Sequence, residues 1–153
     1  YWTCLPYLGV GPGAHSYLYE LGQTGPFGDR FANTKAPRTY IQRISNWSPR
    51  GPIASDTLWK TGAIEDHEII DRRTAMADAM MMGLRLNHGM LNSKFRTRFG
   101  TAIDESFPSA VEECLQLGLL EWAKDSLRLT EGGRLLGNEA FQRFVNARPN
   151  VDA

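Results

Sequence analysis

Few residues in this 153-residue chain are of types that do chemistry, and most of those stand apart from one another. The exception is the stretch YLGVGPGAHSYL, Tyr7 to Leu18, where apolar residues run into three closely spaced glycines and then into a histidine and a serine. Tyr7, Leu8 and Val10 suit a buried strand, and Gly9, Gly11 and Gly13, with Pro12 between the last two, let the backbone turn sharply or approach a ligand closely. His15 and Ser16 would then leave the strand end with polar groups in hand. Two readings follow from the residues themselves. In one, the strand end faces a ligand, because strand ends in parallel sheets are where sites form. In the other, the glycines pack tightly against neighbouring backbone and His15 is hydrogen-bonded locally.

The remaining candidates are weaker. The stretch GVGPGAHS lacks the GxGxxG spacing of a dinucleotide loop, and no Lys-Ser or Lys-Thr follows it as in a P-loop. Cys4 and Cys114 form no CxxC or Cys/His cluster, which argues against a disulfide framework or a metal site and reads as two small buried hydrophobes. Met80, Met81 and Met82 could suggest a soft-metal or heme ligand, but methionines at helical spacing are usually adaptable core. No catalytic residue and no metal ligand is expected in this chain.

Basic and acidic residues both number 17, so no net field draws the chain to nucleic acid or anionic lipid. No apolar run approaches the roughly 20 residues that cross a bilayer, and the N-terminus has no signal-peptide pattern. A cytoplasmic protein is expected. The chain opens at Tyr1 without a methionine and enters a strand at once, which predicts a fragment of a longer protein.

The elements that must hold these residues can be read in order. Glu20 to Pro37 reads as loop. Ala36 to Trp47 reads as a short helix with Pro37 in its first turn and Tyr40, Ile41 and Ile44 as its apolar stripe. An irregular connection follows, in which Leu58 and Trp59 pack down. The longest helix is expected from Glu65 or Asp66 to about Leu86. Its early acids complement the helix dipole, and Ile69, Met76, Met80 and Leu84 lie on one face. Asn87 to Gly89 stops it. A short helix from Asn92 to Phe99 buries Phe95 and Phe99, and a second starts near Pro108, carries Val111, Cys114, Leu115 and Leu117, and ends at Gly118. Leu119 to Ala123 and Ser126 to Leu129 alternate as a hairpin about Lys124 and Asp125, and Thr130 caps a last helix through Val145.

The order of helices, a two-stranded wing and a further helix predicts an α+β, mostly helical fold with a winged-helix-like C-terminal domain. Such a module invites nucleic-acid binding. The charges argue otherwise: from Asn92 to Arg148 basic and acidic residues number eight each, and the would-be recognition helix carries Glu112 and Glu113 with no basic residue. No nucleic acid and no membrane span are expected, although a stand-alone winged-helix module binding a protein or a nucleic acid remains the alternative.

Taken together, YLGVGPGAHSYL, the Asn33 to Ile44 stretch with Tyr40, MMGLRL, FRTRFG, GLLE and LRLTEGGRLLGN resemble the C-terminal part of the oxygen-independent coproporphyrinogen III oxidase family. This radical S-adenosylmethionine group also contains the HemW-type heme chaperones, and the GAHS form of the glycine motif is closer to that branch. The resemblance implies residues 1–61 as the C-terminal edge of a radical S-adenosylmethionine barrel, 62–148 as the winged-helix-like domain and 149–153 as a tail. It implies a parent protein with an upstream barrel, a [4Fe-4S] cluster on CxxxCxxC, S-adenosylmethionine and porphyrin or heme. Gly9, Gly11, Gly13, Ala14, His15 and Ser16 match the family's glycine motif and are the candidates for lining a cofactor or porphyrin pocket. Two cysteines cannot supply three cluster ligands, so this chain alone is not expected to perform radical chemistry. The exposed barrel edge near Tyr1 to Val10 is expected to pair with another chain, as in a dimer, or to be disordered.

Overall fold

The computed structural model describes residues 3–19, 27–47 and 62–147. The expected packing of Leu58 and Trp59, residues 20–26 of the expected loop and the tail lie outside the described residues. The chain divides into two compact units, Pro6–Ile70 and Asp71–Ala153, the latter together with Tyr1–Leu5.

The first unit is built on an antiparallel sheet of three strands in sequence order: β1 (His15–Leu18), β2 (Asp29–Asn33) and β3 (Ile64–Ile69). This corrects three expectations. Tyr7, Leu8 and Val10 do not form a buried strand: Tyr7 makes an isolated bridge to Tyr17, and Leu8 and Val10 are 66% and 84% exposed. Two prolines and three glycines between residues 6 and 13 deny this segment a continuous ladder. The strand begins instead at His15, so His15 and Ser16 belong to the strand and do not leave its end. The sheet is antiparallel, so the rule about ligands at parallel strand ends does not apply to it.

Residues 29–33 are likewise strand where the sequence reads as loop, with the adjacent pair Phe31 and Ala32 both buried. Tyr17, Phe31, Ala32, Ala63 and Ile70 form the apolar interior of this unit. Helix α1 (Pro37–Asn46) occurs where expected, with proline in its first turn, but none of its residues is buried. Ile41 and Ile44 face solvent among the described residues.

The second unit opens with α2 (Arg72–Gly83), which starts several residues later than the periodicity predicts. Glu65, Asp66 and Glu68 lie on β3 and not in a first helical turn. The cap is Asp71, whose carboxylate accepts a hydrogen bond from the Thr74 N–H at 2.7 Å. This bond holds the Asp71 carboxyl below the usual carboxylate range. Met76 and Met80 are fully buried, as core methionines, while Met81 and Met82 are half-buried.

Then follow β4 (Met90–Leu91), α3 (Asn92–Phe99), α4 (Ile103–Ser106), α5 (Pro108–Gln116), β5 (Leu120–Ala123), β6 (Ser126–Leu129), α6 (Glu131–Leu135) and α7 (Gly137–Asn146). The second sheet has the order β4-β6-β5 and is antiparallel throughout. Phe95 packs on Phe99 at 4.6 Å and on Phe107 at 6.3 Å, and Phe107 meets Phe144 edge-on at 5.3 Å. These rings join α3, α5 and α7 into one core. Of the four apolar residues read onto α5, Val111 and Cys114 are buried, whereas Leu115 and Leu117 are exposed. The last helix is broken at Leu136 into α6 and α7, which leaves Leu135 and Leu136 at the exposed corner.

Candidate functional site

The glycine stretch folds into a turn that is held by its own backbone and by β2. Ser16 is the anchor: it is almost completely buried, and its Oγ accepts from the Gly9 N–H at 3.0 Å. A Cβ at residue 9 would collide with the His15 carbonyl, so the close approach of the two chain segments requires glycine there. Gly11 and Gly13 take φ of 103° and 69°, left-handed values that only glycine adopts readily, and Pro12 links them.

The polar groups of this turn are largely consumed internally. The Gly11 carbonyl accepts from Asn33 Nδ2 at 3.0 Å and from the Ala14 N–H at 3.3 Å. The Gly13 N–H donates to the Thr34 carbonyl, and the Ala14 carbonyl accepts from the Asn33 N–H, both at 2.9 Å. Asn33 and Thr34 therefore organise the turn, and neither stands out as a site residue in the sequence. An asparagine directly after a buried strand pair is the only signal that could have found it.

Gly9, Gly11, Gly13, Ala14, His15 and Ser16 thus come together around one turn, and they divide by role. Gly9 and Ser16 face inward and hold the turn closed. His15 points from β1 with its side chain exposed and makes no hydrogen bond through that side chain among the described residues, in contrast to the locally bonded alternative. A Cβ at Gly11 would meet nothing within 4 Å, so the outside of the turn is open space. Exposed Leu8 and Val10 flank it. What the turn offers a ligand is an imidazole and an apolar rim, with no fixed charge of its own. A separate cleft in the same unit, of about 560 Å³, is lined by Gln42, Arg43, Asn46, Trp47, Gly62, Ile64 and Glu65 and includes none of these residues.

Neither cysteine fits an iron–sulfur cluster. Cys114 is fully buried in the core of the second unit, and burial pushes its thiol up from the ordinary range. Cys4 sits against the Asp78 carbonyl, with its sulfur 3.8 Å from the oxygen, and burial raises its thiol too. Among the described residues no group of three or more His, Cys, Asp or Glu side chains could hold a metal ion. No described helix is long and apolar enough to cross a membrane.

The comparisons with known proteins agree with one another. Residues 70–136 match the model of the HemN C-terminal domain. The chain is 30% identical over 145 residues to the heme chaperone HemW of Bacillus subtilis, covering 95% of this chain and 33% of that protein. It is 24% identical to the heme chaperone HemW of Lactococcus lactis, again over 95% of this chain and 32% of the relative. It therefore spans about a third of the length of the curated relatives it matches. Its fold is similar to part of the solved coproporphyrinogen III oxidase HemN of Escherichia coli, described as a radical SAM enzyme. That match has a TM-score of 0.59 and 17% identity, and it covers 91% of this chain and 28% of the other. The mixed helix and sheet of the two units is the architecture of that C-terminal part. By domain model, sequence relatives and fold, the chain is similar to the C-terminal part of the oxygen-independent coproporphyrinogen III oxidase and HemW-type heme chaperone family.

Proposed function

We propose that this chain is the C-terminal part of a HemW-like heme chaperone acting in heme metabolism in the cytoplasm. The observation that carries this reading is that both HemW relatives align over 95% of the chain. The other two thirds of such a protein would supply the radical S-adenosylmethionine barrel, with its [4Fe-4S] cluster and S-adenosylmethionine. This chain has cysteines at Cys4 and Cys114 only, and neither is placed to bind a cluster, so no cluster chemistry is assigned to its residues.

The first unit would then be the edge of the barrel and the second, from Asp71 on, the winged-helix-like domain, so the division falls nine residues beyond the expected 61/62 boundary. The wing is supported by the order of elements in the second unit: helix, short strand, helices, then a hairpin whose second strand pairs with the first short strand. A nucleic-acid role for that domain is not favoured, since α5 presents Glu112 and Glu113 to solvent.

The glycine turn would line the porphyrin pocket. Its rigidity, exposed imidazole and apolar rim suit a large flat ligand with an apolar face. Absorbance titration of the longer protein with hemin tests this. Saturation near one equivalent is expected, with weaker binding for His15→Ala. Unchanged heme affinity in that variant would remove His15 from the site.

A further inference from the structure

We propose that the outer edge of β3 is a docking strand for an extended basic segment of another protein. Among the described residues the order β1-β2-β3 leaves β3 at the end of its sheet, and five of its six residues are exposed. The pairing register shows which backbone groups face outward. The Ile70 N–H donates to the Gly28 carbonyl, and stepping by two residues puts Arg30–Glu68 and Ala32–Asp66 at hydrogen-bonded positions of the ladder. Ile69 falls between, so its N–H and C=O groups point away from β2.

Two contacts tie β3 side chains to β2: Arg30 pairs with Glu68 at 3.3 Å and Asp29 with His67 at 2.7 Å. Natural edge strands are commonly closed by lysine, proline or an irregularity. Here no lysine or proline occurs between Ile64 and Ile69, and the irregularity in register opposite Ala32 and Asn33 affects only the start of the strand.

Charge selects the occupant. Glu65 and Asp66 have no ionic partner among the described residues, and with Glu68 they make the strand acidic. Two copies aligned along this edge would set acid against acid, which disfavours self-pairing. A strand with Lys or Arg beside Glu65 and Asp66 is attracted, and an apolar residue at its other end meets Ile69, which is 64% exposed. Main-chain bonds at Ile69 would supply affinity and the flanking side chains specificity.

Fluorescence anisotropy of the 153-residue chain with a labelled, blocked peptide alternating valine and lysine tests the proposal. Saturable binding is expected, and none to the valine–glutamate counterpart. Ile69→Pro removes an outward N–H while sparing the ladder and should abolish binding with the circular dichroism spectrum unchanged, whereas Ile69→Val, which keeps the N–H, should retain it. Should the proline variant misfold, the paired reversal Glu65→Lys with Asp66→Lys decides, with binding weakened about tenfold or more. Binding that survives proline in a folded variant, or survives the charge reversal, would overturn the proposal. So would no binding at all, or concentration-dependent dimerisation through β3.

Discussion

Asp71 shows how one side chain decides where a helix starts. The acidic run Glu65, Asp66 and Glu68 looks like the negatively charged first turn of a helix, yet it belongs to a strand, and the capping carboxylate comes only at Asp71. Both patterns are acidic and both precede the methionine-rich face, so composition could not separate them. What separates them is pairing with β2, which is non-local. Replacing Asp71 with Ala should destabilise the chain by about 1 kcal/mol at neutral pH, measured by urea unfolding. The folded-state pKa of Asp71 is depressed, so its contribution is fully present above the unfolded value of about 3.9. It is lost as pH falls through the lower folded value. Asp71 is exposed, so the effect is small. The stability difference between the parent chain and the Asp71→Ala variant should nonetheless shrink as pH falls below about 4. A difference independent of pH would contradict the capping role. The glycine turn is legible at this scale as well, since its residues do converge. Ser16 is not: the sequence suggests a polar group at a strand end, where the structure has a buried anchor.

Among the elements, those fixed by local signals occur where the sequence places them. Helix α3 runs from Asn92 to Phe99 and stops at Gly100 with φ of 75°, and the hairpin turns at Lys124 and Asp125 with Lys124 itself taking φ of 56°. What the sequence could not disclose is a long-range cap. Leu91, at the N-cap of α3, offers no side-chain acceptor, and the missing group comes from the hairpin turn, with Ser93 and Asp125 32 residues apart. Asp125 Oδ2 accepts from the Ser93 hydroxyl at 2.5 Å and the Ser93 N–H at 3.2 Å, while its carbonyl accepts from the Asn92 N–H at 2.8 Å. The turn is therefore part of the helix it touches. Asp125→Ala should cost roughly 1–2 kcal/mol and should raise amide exchange at the start of α3 ahead of the rest of the unit. Uniform exchange across both ends of α3 would argue against this link. Near the break of the last helix at Leu136, Gly133 packs so closely on Leu119 that a Cβ could not be placed there, a contact no periodicity reveals.

For the whole molecule, the family resemblance was legible from ordered short motifs, while the arrangement of strands was not. An antiparallel sheet and a parallel one draw on the same apolar and glycine residues, and only the register of β1 on β2 distinguishes them. The same register gives the glycine turn its second wall, Asn33 and Thr34, and leaves His15 facing out. The chain spans only about a third of its HemW relatives, so the heme role proposed for it is tested on the longer protein. The most direct test is a paired assay on the longer protein after cluster reconstitution, with hemin and with coproporphyrinogen. Near-stoichiometric heme binding followed by transfer to an acceptor protein, with no vinyl product, is the predicted result. Vinyl formation from coproporphyrinogen without heme transfer would contradict it.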